Sequence, residues 1–519
     1  MCLIWRLSFR ELSSSIPSQN ENETEAKVGK ELYNYQNEDL NKIFDKLHNC
    51  PGNYNLVYQL PTGGGKTVIF SEIARRYIQQ FNKKVLILTH RIELSRQTNN
   101  MLQEFGVVNK VIDSSVKELP DQNDFNCFVA MVETLNNRLY DKKFELNSIG
   151  LVIIDEAHNN SFRKLFKYFE HCFILGVTAT PLSSNFKLPL KDSYQELIIG
   201  HSIPYLVDNG FLAKATTYSY DVSLNKLKIG INGDYTVRSS EELYSGVHMQ
   251  NKLLYAYEQR SKGKKTLIFN NGINTSQYVY HTFKEAGYDV RHLDNTTPKK
   301  QRKEILEWFK VKEGAIISSV SILTTGFDEP TIESIILNRA TRSLTLYYQM
   351  IGRGSRAIPG KSTFDVIDLG NNAARFGLWA EEVDWQLIFN YPEHFLENLI
   401  SDEEIERRFT YTMPEELKAK FSKSENLDFD IKAAYKQAIV EKKKPTVVID
   451  QSIEQHAQML VENTDDLMSA LGLARELDEA IADRVRRYSY CLHNTTRNFR
   501  DWLQEEYMRR LRSSLRNSF

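Results

Sequence analysis

The chain has 519 residues, 41% of them hydrophobic, which is enough apolar material to fill roughly three to four domain cores of about 150 residues each. This composition excludes a disordered polymer, and the small glycine and proline content, 24 and 13 residues, excludes a collagenous or linker-rich protein. The 66 basic and 67 acidic residues leave a formal net charge of −1, so a polyanion would have to be held by local basic patches.

The cysteines and the apolar runs indicate the compartment. Five cysteines lie far apart without a C-x-x-C pair, which is typical of neither a disulfide framework nor a zinc ribbon, and we expect no structural zinc. No apolar run approaches the roughly 18 residues that a membrane-spanning helix needs. We therefore expect a soluble, cytoplasmic protein without a membrane partner.

Residues 1–30 are rich in Ser, Asn and Glu, which predicts a disordered tail. Beyond them, short apolar runs without polar alternation recur between helical patterns, as in parallel strands that are buried on both faces. The runs lie at 56–58, 85–88, 128–131, 151–154 and 173–177, and then at 266–269, 315–317, 334–337 and 364–367. They predict two α/β domains with parallel sheets, at 31–205 and 206–385.

Two further stretches lack this alternation of apolar runs and helical patterns. The sequence from Ser183 to Tyr220 has no clear period and predicts a connection between the two domains. From residue 386 to residue 519 the sequence is charged and favours helices, which predicts a helical C-terminal region.

The densest glycine run of the chain, Gly63-Gly64-Gly65, stands in the sequence PTGGGKT at 61–67, between an apolar strand and a helical pattern. Glycines allow successive backbone N–H groups to face phosphate oxygens, and the helix N-terminus adds positive potential. We predict nucleotide contacts from Thr62 to Thr67, with Lys66 at the β- and γ-phosphates and Thr67 as a Mg²⁺ ligand. A glycine-rich turn without a ligand is disfavoured, because strand and helix flank the loop as the motif requires.

A second strand, at 151–154, runs directly into the sequence DEAH. Asp155 is placed to hold Mg²⁺ through its waters, and Glu156 is placed to orient and deprotonate the attacking water of nucleotide hydrolysis. Two acids after a strand could instead simply open a helix. Their combination with Lys66 and Thr67 favours catalysis.

The ordered motifs of residues 31–370 resemble those of the superfamily 2 helicases and translocases. LYNYQ (32–36) resembles the glutamine motif, THRIEL (89–94) motif Ia, VETL (132–135) motif Ib, DEAH (155–158) motif II and TATP (178–181) motif III. IFN (268–270), TTGFD (324–328) and QMIGRGSR (349–356) resemble motifs IV, V and VI. The resemblance implies two tandem RecA-like domains of the P-loop NTPase fold, with ATP and Mg²⁺ as cofactors and with Gln36 bonded to the adenine.

The resemblance also implies catalytic roles for motif VI. If two lobes face one another across the nucleotide, Arg353 and Arg356 would reach the γ-phosphate from the second lobe as arginine fingers, and Gln349 would join them. A surface helix with exposed arginines is the alternative.

Closing and opening of two lobes would move a polymer that each lobe holds. Side chains that bind phosphates without reading sequence, at loops and helix starts, are the candidates for holding it: Thr89, Arg91, Thr134, Thr180, Asn270 and Thr324. Residues that would relay the nucleotide state to that strand are His158, Thr178, Thr180, Gly326 and Asp328.

The segment 484–519 carries nine arginines and three acids, with aromatic residues between them. It predicts either a cationic arm for a nucleic-acid backbone or an amphipathic docking helix with solvated arginines. The region 395–519 is therefore also a candidate for binding a protein partner. Cys491 and His493 have no second pair of metal ligands nearby.

Four functions remain open from the sequence. Motifs Ia, III and V are most similar to those of RadD/UvsW-like repair helicases and restriction helicase subunits, which favours an ATP-dependent DNA helicase or translocase, with DNA as the partner over RNA. An RNA helicase is the first alternative, since DEAH is shared with RNA-processing enzymes. A motor subunit of a restriction or defence complex, and an ATP-sensing module without turnover, are the others.

Overall fold

The computed structural model describes residues 31–116, 121–185, 187–324, 326–408, 411–492 and 497–519. The predicted tail 1–30, Thr325 and His493 lie outside the described residues. No helix in these ranges is both long and apolar enough to cross a membrane.

The first lobe alternates strands and helices. Its elements are α1 (Asn34–Asn49), β1 (Asn55–Gln59), α2 (Lys66–Phe81), β2 (Lys84–Thr89), α3 (Ile92–Glu104), β3 (Asn109–Ile112), β4 (Cys127–Met131), α4 (Val132–Tyr140), β5 (Ile149–Asp155), β6 (Phe173–Thr178), β7 (Glu196–Ile199) and α5 (Ile203–Asp208), with 3₁₀ turns at Gln122–Asp124, Asn160–Tyr168 and Leu190–Asp192. Its seven strands form a parallel sheet in the order β3-β4-β2-β5-β6-β1-β7.

The centre of this sheet explains the apolar runs and positions the site. Every residue of β5 and β6 is buried, so neither strand has room for polar alternation. Carboxyl ends of parallel strands meet at one edge of a sheet, and ligands of open α/β sheets bind there. Since β5, β6 and β1 are neighbours, the sequences DEAH, TATP and PTGGGKT converge at that edge.

The second lobe repeats the design. Its elements are β8 (Lys214–Ser219), α6 (Val237–Tyr244), α7 (Val247–Arg260), β9 (Thr266–Asn270), α8 (Ile273–Glu285), β10 (Val290–Leu293), α9 (Lys299–Val311), β11 (Ile316–Ser319), β12 (Ser334–Asn338), α10 (Leu344–Ile351), β13 (Thr363–Asp368) and α11 (Asn372–Phe376), with a 3₁₀ turn at Ser321–Leu323. Six parallel strands follow the order β10-β11-β9-β12-β13-β8.

The described part of the stretch from Ser183 to Tyr220, read from the sequence as an aperiodic connection, contains two strands, an α-helix and a 3₁₀ turn. β7 closes the first sheet, α5 follows, and β8 closes the second sheet. The residues of β8, KATTYS, are exposed or only partly buried, so this strand lacks the apolar run by which the others were recognised. We propose that the lobes meet in the loop between α5 and β8 and that the second lobe ends before residue 385.

In the rest of the described chain all the regular elements are helices. They are α12 (Trp385–Asn390), α13 (Pro392–Glu397), α14 (Asp402–Arg408), α15 (Glu415–Ala419), α16 (Ile431–Val440), α17 (Val447–Asn463), α18 (Leu467–Glu476), α19 (Asp478–Cys491) and α20 (Arg497–Ser518). The helices from α15 onward pack around an apolar core of their own, which includes Phe421, Leu460, Tyr507 and Leu511. The predicted fold class, two parallel-sheet α/β domains followed by a helical region, is confirmed.

Many arginines of 484–519 are buried or form ion pairs within this helical region. Arg484 and Arg486 are buried, and three ion pairs join Arg487 to Asp483 at 2.7 Å, Arg500 to Glu406 at 2.7 Å and Arg510 to Asp450 at 2.6 Å. The helical region therefore neutralises much of the positive charge that suggested a cationic arm.

Asp402, at the start of α14, joins the helical region to the second lobe. Its Oδ1 accepts hydrogen bonds from the Tyr235 hydroxyl at 2.6 Å, from Arg375 at 2.5 Å and from Arg342 at 3.2 Å. The Arg375 side chain is only 2% exposed, so its charge depends on this carboxylate for compensation.

Replacing Asp402 with alanine should destabilise the protein. The substitution leaves the buried Arg375 guanidinium without its carboxylate, and breaking a buried ion pair in this way costs about 3–5 kcal/mol. Urea denaturation should therefore show an earlier transition for Asp402→Ala than for Asp465→Ala, which changes an exposed carboxylate of the same region. Equal midpoints would show that the Asp402 cluster does not hold the fold.

Candidate active site between the lobes

The loop between β1 and α2 has the backbone of a phosphate cradle. Gly63 and Gly65 have φ angles of +92° and +85°, in the left-handed region that favours glycine. A Cβ at Gly65 would lie 2.5 Å from Nε2 of Gln36, and one at Gly63 would lie 2.7 Å from Oγ of Ser355. The positive φ angles favour glycine at both positions, and a side chain at either would displace Gln36 or Ser355.

Lys66 is the first residue of α2, and its Nζ donates to the carbonyl oxygens of Leu60 at 3.2 Å and Pro61 at 3.4 Å. Burial lowers the pKa of Lys66, while the carboxylates of Glu156 and Asp155 act in the opposite direction. The ammonium therefore lies within the field of both acids. Thr67 follows it in the first turn of α2 and is partly buried.

The acid pair is buried beside this loop. Asp155 ends β5, and its Oδ1 accepts a hydrogen bond from the Glu156 amide at 3.0 Å. Glu156 has a φ of +56°, a conformation that a residue with a side chain seldom adopts and that is found at functional sites. Its Oε2 is buried, accepts no hydrogen bond from the described residues and lies 3.3 Å from Nδ1 of His158.

The two acids differ in their electrostatics. Burial and the adjacent Glu156 carboxylate raise the pKa of Asp155. Burial also disfavours the charged form of Glu156, but His158, Lys66 and other neighbouring cationic groups hold its pKa below the usual value. Glu156 is thus a buried carboxylate whose Oε2 lies near His158 but accepts no hydrogen bond, and the base for an attacking water requires such an acceptor.

A chain of hydrogen bonds leads from this pair into the second lobe. His158 Nδ1 lies 2.9 Å from the Thr178 hydroxyl, which donates to the Thr180 carbonyl oxygen at 3.1 Å. The Thr180 hydroxyl in turn donates to that of Thr345 in α10 at 3.0 Å. Thr345 was not among the predicted residues, although it lies four residues before Gln349 and hence on the same helix face.

Motif VI touches the phosphate loop directly. Arg356 donates from Nη1 to the Gly63 carbonyl oxygen at 2.8 Å, while its Nε and Nη2 bind Asp328 at 2.9 Å and 3.2 Å. The Ser355 hydroxyl lies 3.3 Å from the Thr62 carbonyl oxygen. The second lobe therefore reaches the cradle with a guanidinium that is oriented by a carboxylate.

Arg353 and Gln349 lie deeper. Arg353 donates from Nη1 to the Phe327 carbonyl oxygen, whereas its Nε is buried and has no partner among the described residues. Burial lowers the pKa of Arg353 to about 10, against the attraction of Glu156. Gln349 is buried in α10. Arg353 thus presents an N–H group without a hydrogen-bond partner in the same cleft as the Glu156 carboxylate.

An aromatic cluster lies on the other side of the loop. Gln36 accepts a hydrogen bond from the Tyr33 amide at 3.1 Å, and the Tyr35 hydroxyl donates to the Gly64 carbonyl oxygen at 2.8 Å. The ring of Phe211 lies 4.7 Å from that of Tyr33 and 4.8 Å from that of Tyr35. Phe211 was not predicted, since it stands in the stretch without a period; the contact of Gln36 with adenine stays a prediction.

Most of the side chains predicted to hold nucleic acid are turned inward. The hydroxyl of Thr89 lies 2.8 Å from that of Ser95, and Thr324 donates to the Ser321 carbonyl oxygen at 2.7 Å. Asn270 donates to Ser318 at 3.1 Å and accepts from Asn338 at 2.7 Å. These hydroxyl and amide groups are therefore engaged within the protein, and the structure does not bring them to a shared surface.

Two other predicted residues, Arg91 and Gly326, lie at the contact between the lobes. Arg91 lies at the start of α3 and donates to the Ile322 carbonyl oxygen of the second lobe at 3.4 Å. Gly326 has a φ of +74°, and a Cβ there would lie 3.3 Å from Cβ of Glu93. Thr134 is partly buried in the first turn of α4. The loop of motif V thus packs on α3 of the first lobe.

Two family descriptions match the chain. Residues 29–183 match the family described as "Type III restriction enzyme, res subunit", and residues 248–358 match the "Helicase conserved C-terminal domain". The matches include the phosphate loop, the acid pair and both arginines of motif VI. Each lobe is thus recognised independently.

Whole-protein comparisons agree. The chain is 30% identical over 357 residues to "Putative ATP-dependent helicase IRC3" of Saccharomyces cerevisiae, covering 65% of this chain and 51% of that protein. It is 24% identical over 386 residues to the "Type I restriction enzyme EcoAI endonuclease subunit" of Escherichia coli, covering 66% of this chain and 46% of that protein. The chain spans about half the length of these curated relatives.

A solved structure shares the fold. It is a fragment of a "putative HsdR subunit of a type I restriction enzyme from Vibrio vulnificus YJ016", with a TM-score of 0.51 and 20% identity, covering 66% of this chain and 64% of that one. The likeness supports two RecA-like lobes in tandem.

Proposed function

The chain belongs to the superfamily 2 helicases, ATP-hydrolysing enzymes, and is related to the helicase subunits of type I and type III restriction enzymes; from this premise we propose that it couples ATP hydrolysis between its lobes to movement along DNA. One observation supports the proposal most. Arg356 of the second lobe is held by Asp328 and bonded to Gly63 of the phosphate loop, so the two halves of a nucleotide site face each other.

The residues at the cleft fit ATP with Mg²⁺. The loop is kept open by Gly63 and Gly65, and Lys66 is electrostatically coupled to both buried acids. The ion would be held by the Thr67 hydroxyl and, through its waters, by Asp155, where it would neutralise phosphate charge. Such a donor set of hydroxyl and carboxylate oxygens suits a hard cation.

Different side chains then have different roles in hydrolysis. Lys66 and the loop amides bind the β- and γ-phosphates. Glu156 orients the attacking water and takes its proton at Oε2, the buried oxygen that accepts no hydrogen bond from the described residues. Arg353 and Arg356 stabilise the charge that develops on the transferred phosphoryl group. Asp328 keeps the Arg356 fork in place.

Movement would follow from the dependence of lobe closure on the nucleotide. The chain from His158 through Thr178 and Thr180 to Thr345 connects the acid pair with α10, which carries motif VI. A change at the γ-phosphate would therefore alter contacts between the lobes, and the loops held by Thr89, Asn270 and Thr324 would shift with them.

Replacing Thr345 with valine should weaken this coupling. Valine keeps the shape but leaves the buried Thr180 hydroxyl without its partner across the cleft. Coupling residues of this kind change a linkage by about 0.5–2 kcal/mol, so we expect stimulation of the ATPase by nucleic acid to fall about 2- to 30-fold while the KM for ATP changes little. Thr216→Val, on the exposed edge strand β8, is the control. Unchanged stimulation would remove Thr345 from the relay.

DNA is the proposed polymer because the family relation is to restriction-enzyme subunits, and restriction enzymes act on DNA. The test compares ATPase rates with single-stranded DNA, duplex DNA and RNA of the same sequence, at one fixed salt concentration. Stimulation by DNA supports the proposal, and stimulation by RNA alone would replace it with an RNA helicase. Wild-type protein without turnover on any polymer would favour an ATP-sensing module. Displacement of a triplex-forming strand then reports movement without strand separation.

We also propose that the region 395–519 contacts a partner subunit, because relatives of this chain are subunits of larger enzymes. Exposed large apolar side chains of this region include Val440, Met468 and Trp502. The triple variant with serine at these positions should lose partners that wild-type protein captures from cell extract while it keeps its ATPase activity. Capture of identical partners by both proteins would count against docking through these residues.

A further inference from the structure

Lys361 lies in the turn that follows motif VI, and its ammonium group is buried against backbone oxygens. Nζ donates to the carbonyl oxygens of Gly354 at 2.7 Å, Arg356 at 2.8 Å and Pro330 at 3.0 Å. An ammonium group has three donors, so all of them are used. Each N–H of the group therefore bonds a backbone carbonyl oxygen, so the side chain stabilises the backbone.

The three acceptors belong to the two loops that bring motif VI to the cradle. Gly354 and Arg356 flank Ser355, whose hydroxyl lies 3.3 Å from the Thr62 carbonyl oxygen. Pro330 follows Asp328, the carboxylate that binds the Arg356 guanidinium. One ammonium group thus fixes the backbone on both sides of the Asp328–Arg356 ion pair.

The loop has few other backbone contacts. Between α10 and β13 the described backbone makes the isolated bridges Leu212 to Arg356 and Ile358 to Lys361, accepts hydrogen bonds from the Ala213 and Lys214 amides at Ser355 and Ser362, and makes a few turn hydrogen bonds. Buried carbonyl oxygens need partners, and Lys361 supplies a partner to two of them within this loop. The Lys361 ammonium therefore fixes the position of the backbone from which the Arg356 side chain projects.

We propose that Lys361 is a positioning residue for the proposed ATP hydrolysis, which holds Arg356 at the distance from the phosphate loop that the reaction requires. This inference rests on the proposed function of Arg356. A misplacement of about 1 Å can cost on the order of 100-fold in rate, so loss of the ammonium group should act on turnover more than on nucleotide binding.

The experiment measures kcat and nucleotide affinity for Lys361→Met, Arg356→Ala and the double variant. We expect Lys361→Met to lower kcat about 10- to 100-fold with the affinity for ATP within about threefold of wild type. If Lys361 acts through Arg356, the double variant will be no slower than Arg356→Ala alone, whereas independent effects would multiply. Lys310→Met, on the exposed face of α9, should leave kcat unchanged.

Two further arms keep the result interpretable. Thermal unfolding establishes that each variant is folded, and Lys361→Arg provides a second test if Lys361→Met is not. Arginine keeps the charge, but its planar fork cannot direct three donors from one atom, so it should also lower kcat. A kcat within twofold of wild type for both folded variants, or multiplicative losses in the double variant, would overturn the inference. An Arg356→Ala variant with wild-type kcat would instead overturn the role of Arg356 itself.

Discussion

Glu156→Gln should bind ATP and fail to hydrolyse it. Glutamine has nearly the same shape, so the cradle and Lys66 are preserved, but an amide cannot accept the proton of the attacking water. Loss of a positioned general base costs about 10²- to 10⁴-fold, and we expect kcat to fall by that range in the polymer-stimulated ATPase. The reason is structural: Oε2 of Glu156 is buried beside the phosphate loop, accepts no hydrogen bond from the described residues and has His158 Nδ1 at 3.3 Å.

Binding and turnover must be measured separately for this variant. A fluorescent ATP analogue should report an affinity within a fewfold of wild type, while phosphate release is nearly lost. Glu104→Gln, at the exposed end of α3, should behave as wild type in both measurements. If Glu156→Gln kept more than a tenth of wild-type kcat, the base would have to be another group.

Arg356→Ala should be almost as severe. Arginine fingers contribute about 10³- to 10⁵-fold to kcat in other phosphoryl-transfer enzymes. Because Arg356 also bonds the Gly63 carbonyl oxygen, its loss removes a contact between the lobes along with the charge. Lysine should rescue poorly, since a single ammonium cannot bind Asp328 with two nitrogens and reach the loop as well.

Asp328→Asn provides the internal comparison for Arg356. It leaves the guanidinium present but weakens the ion pair that orients it, so kcat should lie between those of wild type and Arg356→Ala. Arg238→Ala, whose side chain is 91% exposed on α6, should have no effect. If Arg356→Ala retained full turnover, the contact with Gly63 would serve only to hold the lobes together.

The sequence predicted the central strands and missed the outer ones, and the reason is physical. All nine runs correspond to strands that are hydrogen-bonded on both sides, and the four strands without a run, β3, β7, β8 and β10, are the edges of the two sheets. An edge strand has one neighbour and tolerates polar residues, so its sequence need not contain the apolar run from which a strand is predicted.

The candidate site divides in a similar way. Lys66 and Glu156 could be named from their motifs and the strands before them, and Arg356 could be named from the resemblance of 349–356 to motif VI. Thr345 and Lys361 could not, because their roles arise from contacts across the cleft or with backbone oxygens. The inward orientation of Thr89 and Asn270 was equally hidden, since a hydroxyl or amide next to a strand end fits an internal hydrogen bond as well as a phosphate.

The ion pairs of α14 have a consequence for how the helical region can be studied by deletion. A chain that stops near residue 395 loses Asp402 and leaves the buried guanidinium of Arg375 without its carboxylate. A chain that stops at residue 408 keeps Asp402 but separates the buried Glu406 from Arg500. Either boundary leaves a buried charge unmatched, so a shortened protein that loses activity would report damage to the structure that remains. Point substitutions on the outer surface of 395–519 are the safer way to ask what this region recognises.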